Sequence, residues 1–169
     1  MKKIALFALA LLVVVQVNAQ SRKERKLLFG SSYNYEILML GVGQDGTKVF
    51  KVYAYAKKVD DAIVQAKKNA VAACIFRGLP GANGAAPTPA ICPDPNTEEN
   101  NLDYFTSFFA TGGRYLQYIN LTTDGVPSGQ DRLKVKGGYK VGISVQVLYD
   151  KLRKDLEAAG IARGLSSGF

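Results

Sequence analysis

The 169-residue sequence contains no histidine. That removes the usual general base and the commonest metal ligand together, which excludes Ser-His-Asp and Cys-His catalysis and histidine-rich zinc sites. Cysteine is almost as scarce, with Cys74 and Cys92 the only two. Two cysteines without a histidine make a poor zinc set, and they stand far from the C-x-x-C spacing of a redox pair. Acidic residues number 14 against 22 basic ones, and nothing singles out two carboxylates as the close pair a glycosidase needs. Beyond the first twenty residues no apolar run is long enough to span a bilayer. These absences point away from an enzyme, and no cofactor or metal is expected.

What is present begins with a leader. Lys2 and Lys3 precede an apolar stretch from Ile4 to Val17 broken only by Gln16, and Val17-Asn18-Ala19 places small residues where a signal peptidase reads. Charge, apolar run and small-x-small form the secretory pattern. The run of about 14 residues is short of the roughly 20 that a spanning helix needs. Residues 1–19 are therefore expected to be a cleaved signal peptide, with Gln20 opening the mature chain. No cysteine follows the cleavage point to carry a lipid, so release rather than anchoring is expected. The expected location is periplasmic or outer-membrane-associated, with no stable membrane span.

An exported chain with an even cysteine count favours a bridge. A Cys74–Cys92 disulfide is the expectation, closing a loop worth roughly 3 kcal/mol in the chain-entropy account. The net charge of +8 falls to +6 without the two leader lysines. A positive balance suits an acidic partner. Lys134, Lys136 and Lys140 are the candidate contacts for an anionic glycan, while export argues against nucleic acid.

Residues 20–32 read as a flexible leader and 33–160 as a single α+β domain. Tyr33–Val42 and Thr47–Lys57 are strand-like runs around Asp45-Gly46, the composition of a β-hairpin. From Ala62 to Arg77 small apolar residues recur at three- and four-residue steps after Asp60-Asp61 and stop at Gly78, which predicts an amphipathic helix able to pack closely on a sheet. Residues 78–101 are a long Gly/Pro loop, which the disulfide would tie back to the helix. Leu102–Ala110 suggests a short helix and Arg114–Thr122 a strand carrying Tyr115 and Tyr118. Leu133–Val135 and Tyr139–Val147 continue the sheet. Val141, Ile143, Val145 and Val147 alternate with polar or small residues, so one buried face is expected there. Tyr149–Ala159 reads as a helix ended by Gly160, and 161–169 as a loose tail. The order β-β-α-loop-β-β-α predicts a mostly antiparallel sheet of four to five strands with helices on one face.

Three motifs lose force in context. Gly41-Val-Gly43-Gln-Asp-Gly46 has the G-x-G-x-x-G spacing, but a strand follows it, where a dinucleotide site needs a helix. Asp94-x-Asn96-x-Glu98 begins like a calcium loop, yet Glu99 and Phe105 occupy the positions of its glycine and closing glutamate. Asn120-Leu-Thr122 has the form of a glycosylation sequon. The abundant Tyr and Phe side chains are expected mainly to fill strand faces, with some left to form a contact patch, and a sheet edge is a further place for a partner strand.

Tyr53-Ala-Tyr-Ala56, then Asp61-Ala62, Ala66 and Ala70, then Tyr139–Val147 resemble the small α/β domains of bacterial envelope proteins. The N-terminal domain of the flagellar assembly protein FlgT is an example. The likeness spans about residues 50–77 and 114–150 and leaves out the leading hairpin, the long loop and the last helix. The Asn-Ala-Gln at the leader's end also resembles exported envelope proteins of Bacteroidota type. The resemblance implies a non-catalytic envelope module acting through contacts with an envelope protein partner or its own copies. The alternative is a module binding anionic polysaccharide or peptidoglycan.

Overall fold

The computed structural model describes residues 35–164 apart from positions 83 and 85. The expected signal peptide, the 20–32 leader and the tail after Gly164 lie outside the described residues.

The chain opens with β1 (Glu36–Val42) and β2 (Lys48–Ala56), paired antiparallel. Asp45 and Gly46 take φ of 53° and 70°, and the Thr47 N–H donates to the Gln44 carbonyl at 3.0 Å. Two consecutive positive φ values match the right-handed twist of a hairpin, and this settles the role of the glycines around Asp45. Gly46 is also confined from outside, because a Cβ there would collide with the Asp150 side chain. The β1–β2 register slips between Met39 and Gly41, leaving Leu40 as the extra residue of a bulge.

Helix α1 (Val59–Ala72) follows and runs on into a π-helical turn, Ala73–Arg77, closed by Gly78 at φ 78°. Ala62, Ala66, Ala70 and Ala73 are all fully buried. They recur at one-turn steps, and their small side chains let α1 lie close on β2 and β5. Opposite them stand Phe50, Val52 and Ala54 of β2 and Val141, Val145 and Val147 of β5 (Gly138–Val147), all buried.

The sheet is antiparallel throughout, in the order β1-β2-β5-β3. The far edge of β5 is shared. β4 (Arg132–Val135) pairs with its first half and β3 (Ile119–Leu121) with its last residues. The expected α+β architecture, with a mostly antiparallel sheet and packed helices, is thus the one observed. Helices α2 (Thr97–Asn100) and α3 (Leu102–Phe108) lie in the connection before β3, and α4 (Tyr149–Ala158) ends the fold at Gly160.

The structure departs from the sequence reading in three places. First, Cys74 and Cys92 are both buried and both free; no disulfide joins them. The long loop is tied to the helix by backbone instead. The carbonyls of Cys74 and Ile75, orphaned at a helix end, accept from Ile91 N–H at 3.0 Å and Cys92 N–H at 2.8 Å. This register sets Ile91, not Cys92, opposite Cys74, and the thiols sit in different surroundings, Cys74 near Lys48 and Cys92 near Arg153. Leu79 and Thr88 complete the anchoring with reciprocal N–H to carbonyl bonds.

Second, Tyr115 and Tyr118 are not on a strand. Arg114–Tyr118 is a 3₁₀ turn, and only Ile119–Leu121 pairs. Both tyrosines join a ring cluster with Tyr104, Phe105, Phe108 and Phe109 in which neighbouring centroids are 4.9–6.4 Å apart. Much of the aromatic mass therefore packs as a ring cluster continuous with the core rather than filling strand faces. Third, burial along β5 is unbroken from Val141 to Ser144 and on to Val145. The face away from the helices is closed there as well, by side chains of the sheet and by Asp131 of the turn before β4.

Candidate functional site

The arrangement that covers that second face follows from period-two alternation and register. Residues directly opposite one another on paired strands share a face. With Phe50, Val52 and Ala54 turned to the helices, Lys51, Tyr53 and Tyr55 of β2 turn away from them. Their partners form three rows across the sheet: Tyr55, Lys140 and Leu133; Glu36, Tyr53 and Gly142; Leu38, Lys51 and Ser144.

Within these rows the charges are consumed internally. The Lys140 ammonium donates to both carboxylate oxygens of Glu36 at 2.7 Å, and the Tyr55 hydroxyl donates to the same carboxylate at 2.9 Å. Lys140 also lies 4.8 Å from the Tyr53 ring centroid and 5.7 Å from that of Tyr55, within cation–π range. Those donors, the Lys140 hydrogen bond above all, hold the Glu36 carboxyl below its ordinary value. Burial and the Glu36 carboxylate raise the Tyr55 hydroxyl. One row away, Lys51 grips Asp131 at 2.8 Å through both oxygens, and the bond raises the Lys51 ammonium. Asp131 belongs to the 3₁₀ turn that leads into β4, so this pair pins the β3–β4 connection over the sheet.

Gly142 makes the arrangement possible. A Cβ at this position would sit 2.6 Å from Cε1 of Tyr53, so the ring edge occupies the space that a side chain here would take. The margins are apolar, with Leu38 52% and Leu133 46% exposed. The result is a sheet face with no net charge on which no helix packs among the described residues, built of tyrosine rings under the Asp131 turn and flanked by two exposed leucines.

The three lysines expected to meet an anionic partner do not converge. Lys140 is committed to Glu36 on this face. Lys134 pairs with Tyr139, on the opposite side of the sheet by alternation, and Lys136 is exposed in the tight β4–β5 turn beside Gly137 at φ 96°. The acidic loop also has a local role. Asp94 accepts the Asn96 backbone N–H at 2.9 Å, as an Asx turn does. Among the described residues no group of three or more His, Cys, Asp or Glu side chains is placed to hold a metal ion, and no helix is long and apolar enough to cross a membrane.

The sequence reading missed Glu36, Lys51 and Asp131. The Lys51-x-Tyr53-x-Tyr55 alternation was the available signal for the face; the carboxylates that neutralise it come from distant segments. Compared with family models, curated proteins and solved structures, the chain matches none.

Proposed function

We propose that this protein is an exported, non-enzymatic module of the cell envelope that docks a partner protein on its open sheet face. The observation that carries this reading is the internal neutralisation of that face: Lys140 by Glu36, and Lys51 by Asp131. A surface for an anionic glycan needs uncompensated cations. A protein contact favours tyrosine rings and apolar side chains and disfavours unpaired charge. The partner surface that fits is accordingly one without net charge that offers apolar side chains to Leu38 and Leu133. The leader with its charged start, apolar run and Val17-Asn18-Ala19 end supports export.

The test compares the wild type with a Leu38→Asp, Leu133→Asp double variant, each produced from the full sequence in its own host. The wild type is expected to start at Gln20 and to migrate in a complex larger than itself, and the variant to migrate as a free monomer while keeping its circular dichroism. A wild type that migrates as a free monomer, or a variant that stays in the complex, overturns the reading.

A further inference from the structure

A second feature lies at the other end of the sheet, on the helix side. A cleft of about 620 Å³ opens between the β1–β2 hairpin, Gly84 and the 86–89 part of the long loop, and α4. That volume falls within the range of small-molecule sites. Met39, Pro87 and Pro89 give it apolar walls. Tyr149 anchors its wall, since its hydroxyl donates to the Pro89 carbonyl at 2.7 Å and accepts from Arg153 at 3.1 Å.

Lys48 is the residue that breaks the pattern. It opens β2 in phase with Phe50, Val52 and Ala54 and pairs with the buried Val147. Alternation calls for an apolar side chain there. Instead the ammonium lies 5.6 Å from the Tyr149 ring centroid, at the cleft wall, with no carboxylate within ion-pair distance among the described residues. Lys48 is half-buried, so its ammonium is delivered to the cleft rather than into the core. The other charges of the cleft leave it positive. Arg153 and Glu157 face each other at 3.6 Å, which leaves Lys48 and Lys154 against Asp150.

We propose that this cleft binds a small organic monoanion, a carboxylate on an apolar body, with Lys48 meeting the charge and the Met39 and proline walls meeting the body. One excess positive charge matches one carboxylate, and apolar walls disfavour a bare inorganic ion. The site stands apart from the open face and does not depend on its docking role.

The probe is 1-naphthoate, with 1-naphthylmethylamine as its cation-bearing counterpart, each titrated into the protein and followed by calorimetry and by chemical-shift changes at Tyr149. The wild type is expected to bind naphthoate at one saturable site and the amine not at all. Lys48→Met, which suits an inward strand position, is expected to weaken naphthoate about tenfold or more through loss of a charge-assisted contact. Lys48→Arg keeps the charge and is expected to retain binding, as is Lys134→Met on the far hairpin. Absence of saturable naphthoate binding, equal binding of the amine, or undiminished binding by a folded Lys48→Met variant overturns the proposal. Should Lys48→Met fail to fold, the wild-type preference between acid and amine decides it.

Discussion

Lys140 on β5 reaches across β2 to hold both carboxylate oxygens of Glu36 on β1 at 2.7 Å. One ion pair thereby spans three strands, and the Tyr53 and Tyr55 rings are arranged around it. The pair is solvent-accessible, with the Glu36 side chain 57% exposed, so its worth lies in ordering the face; its contribution to stability is below about 1 kcal/mol.

The first prediction concerns that carboxylate. Its folded value is depressed, chiefly by the Lys140 hydrogen bond, below the ordinary 4.5. The small stability it adds is therefore fully present above 4.5 and is lost as pH falls through the depressed value. In a carboxyl-detected NMR titration Glu36 is expected to protonate below the ordinary 4.5. Lys140→Met is expected to return it toward 4.5. A Glu36 midpoint that Lys140→Met leaves unchanged contradicts the assignment.

The second concerns the thiols. Burial pushes the Cys74 thiol up to about 12 and raises that of Cys92 as well. Thiolate is the reactive form, so neither is expected to react with iodoacetamide in the native protein near about pH 8. Both are expected to react after guanidinium unfolding without any reductant, as mass spectrometry will read. A need for reductant before alkylation is the opposing result.

The third concerns the core. Phe50 sits fully buried on the second strand of the sheet, and Phe50→Ala is expected to cost about 3–5 kcal/mol in urea unfolding. The buried Tyr118 donates its hydroxyl to Asp155 at 2.7 Å. Tyr118→Phe keeps the ring contacts and removes that bond to a charged group, for a loss of about 1–2 kcal/mol. A Tyr118→Phe loss as large as that of Phe50→Ala would mean the ring cluster is not preserved.

The fourth separates the open face from the fold. A Cβ at Gly142 meets the edge of the Tyr53 ring, a side chain able to move. Gly142→Ala is expected to shift the Tyr53 ring resonances while costing no more than about 1–2 kcal/mol, and to weaken docking. An unchanged Tyr53 environment in this variant contradicts the packing described.

Local chemistry made much of the fold legible. Asp45-Gly46 announced the hairpin, the alanine steps of α1 its contact face, and Gly78 and Gly160 the helix ends. Tyr115 and Tyr118 misled because aromatic, branched-rich stretches read as strands, whereas here Gly113 admits a 3₁₀ turn and the rings serve a cluster set by tertiary contact. Cysteine count in a presumed oxidising compartment suggested a bridge, but the loop register aligns Ile91 with Cys74 and satisfies the helix end by hydrogen bonds. The candidate face was least legible. Glu36 and Lys140 lie on strands that never pair directly, and only the β1-β2-β5 order brings them together.

The most direct test of the docking claim is site-specific photo-crosslinking in the producing cell, with a benzophenone amino acid at Leu38, at Leu133, or at Val64, which is exposed on α1. Discrete crosslinked species from positions 38 and 133, absent from 64 and diminished by Gly142→Ala, are the predicted result. Crosslinking from 64 equal to that from 38 and 133, or none from either position on the open face, contradicts it.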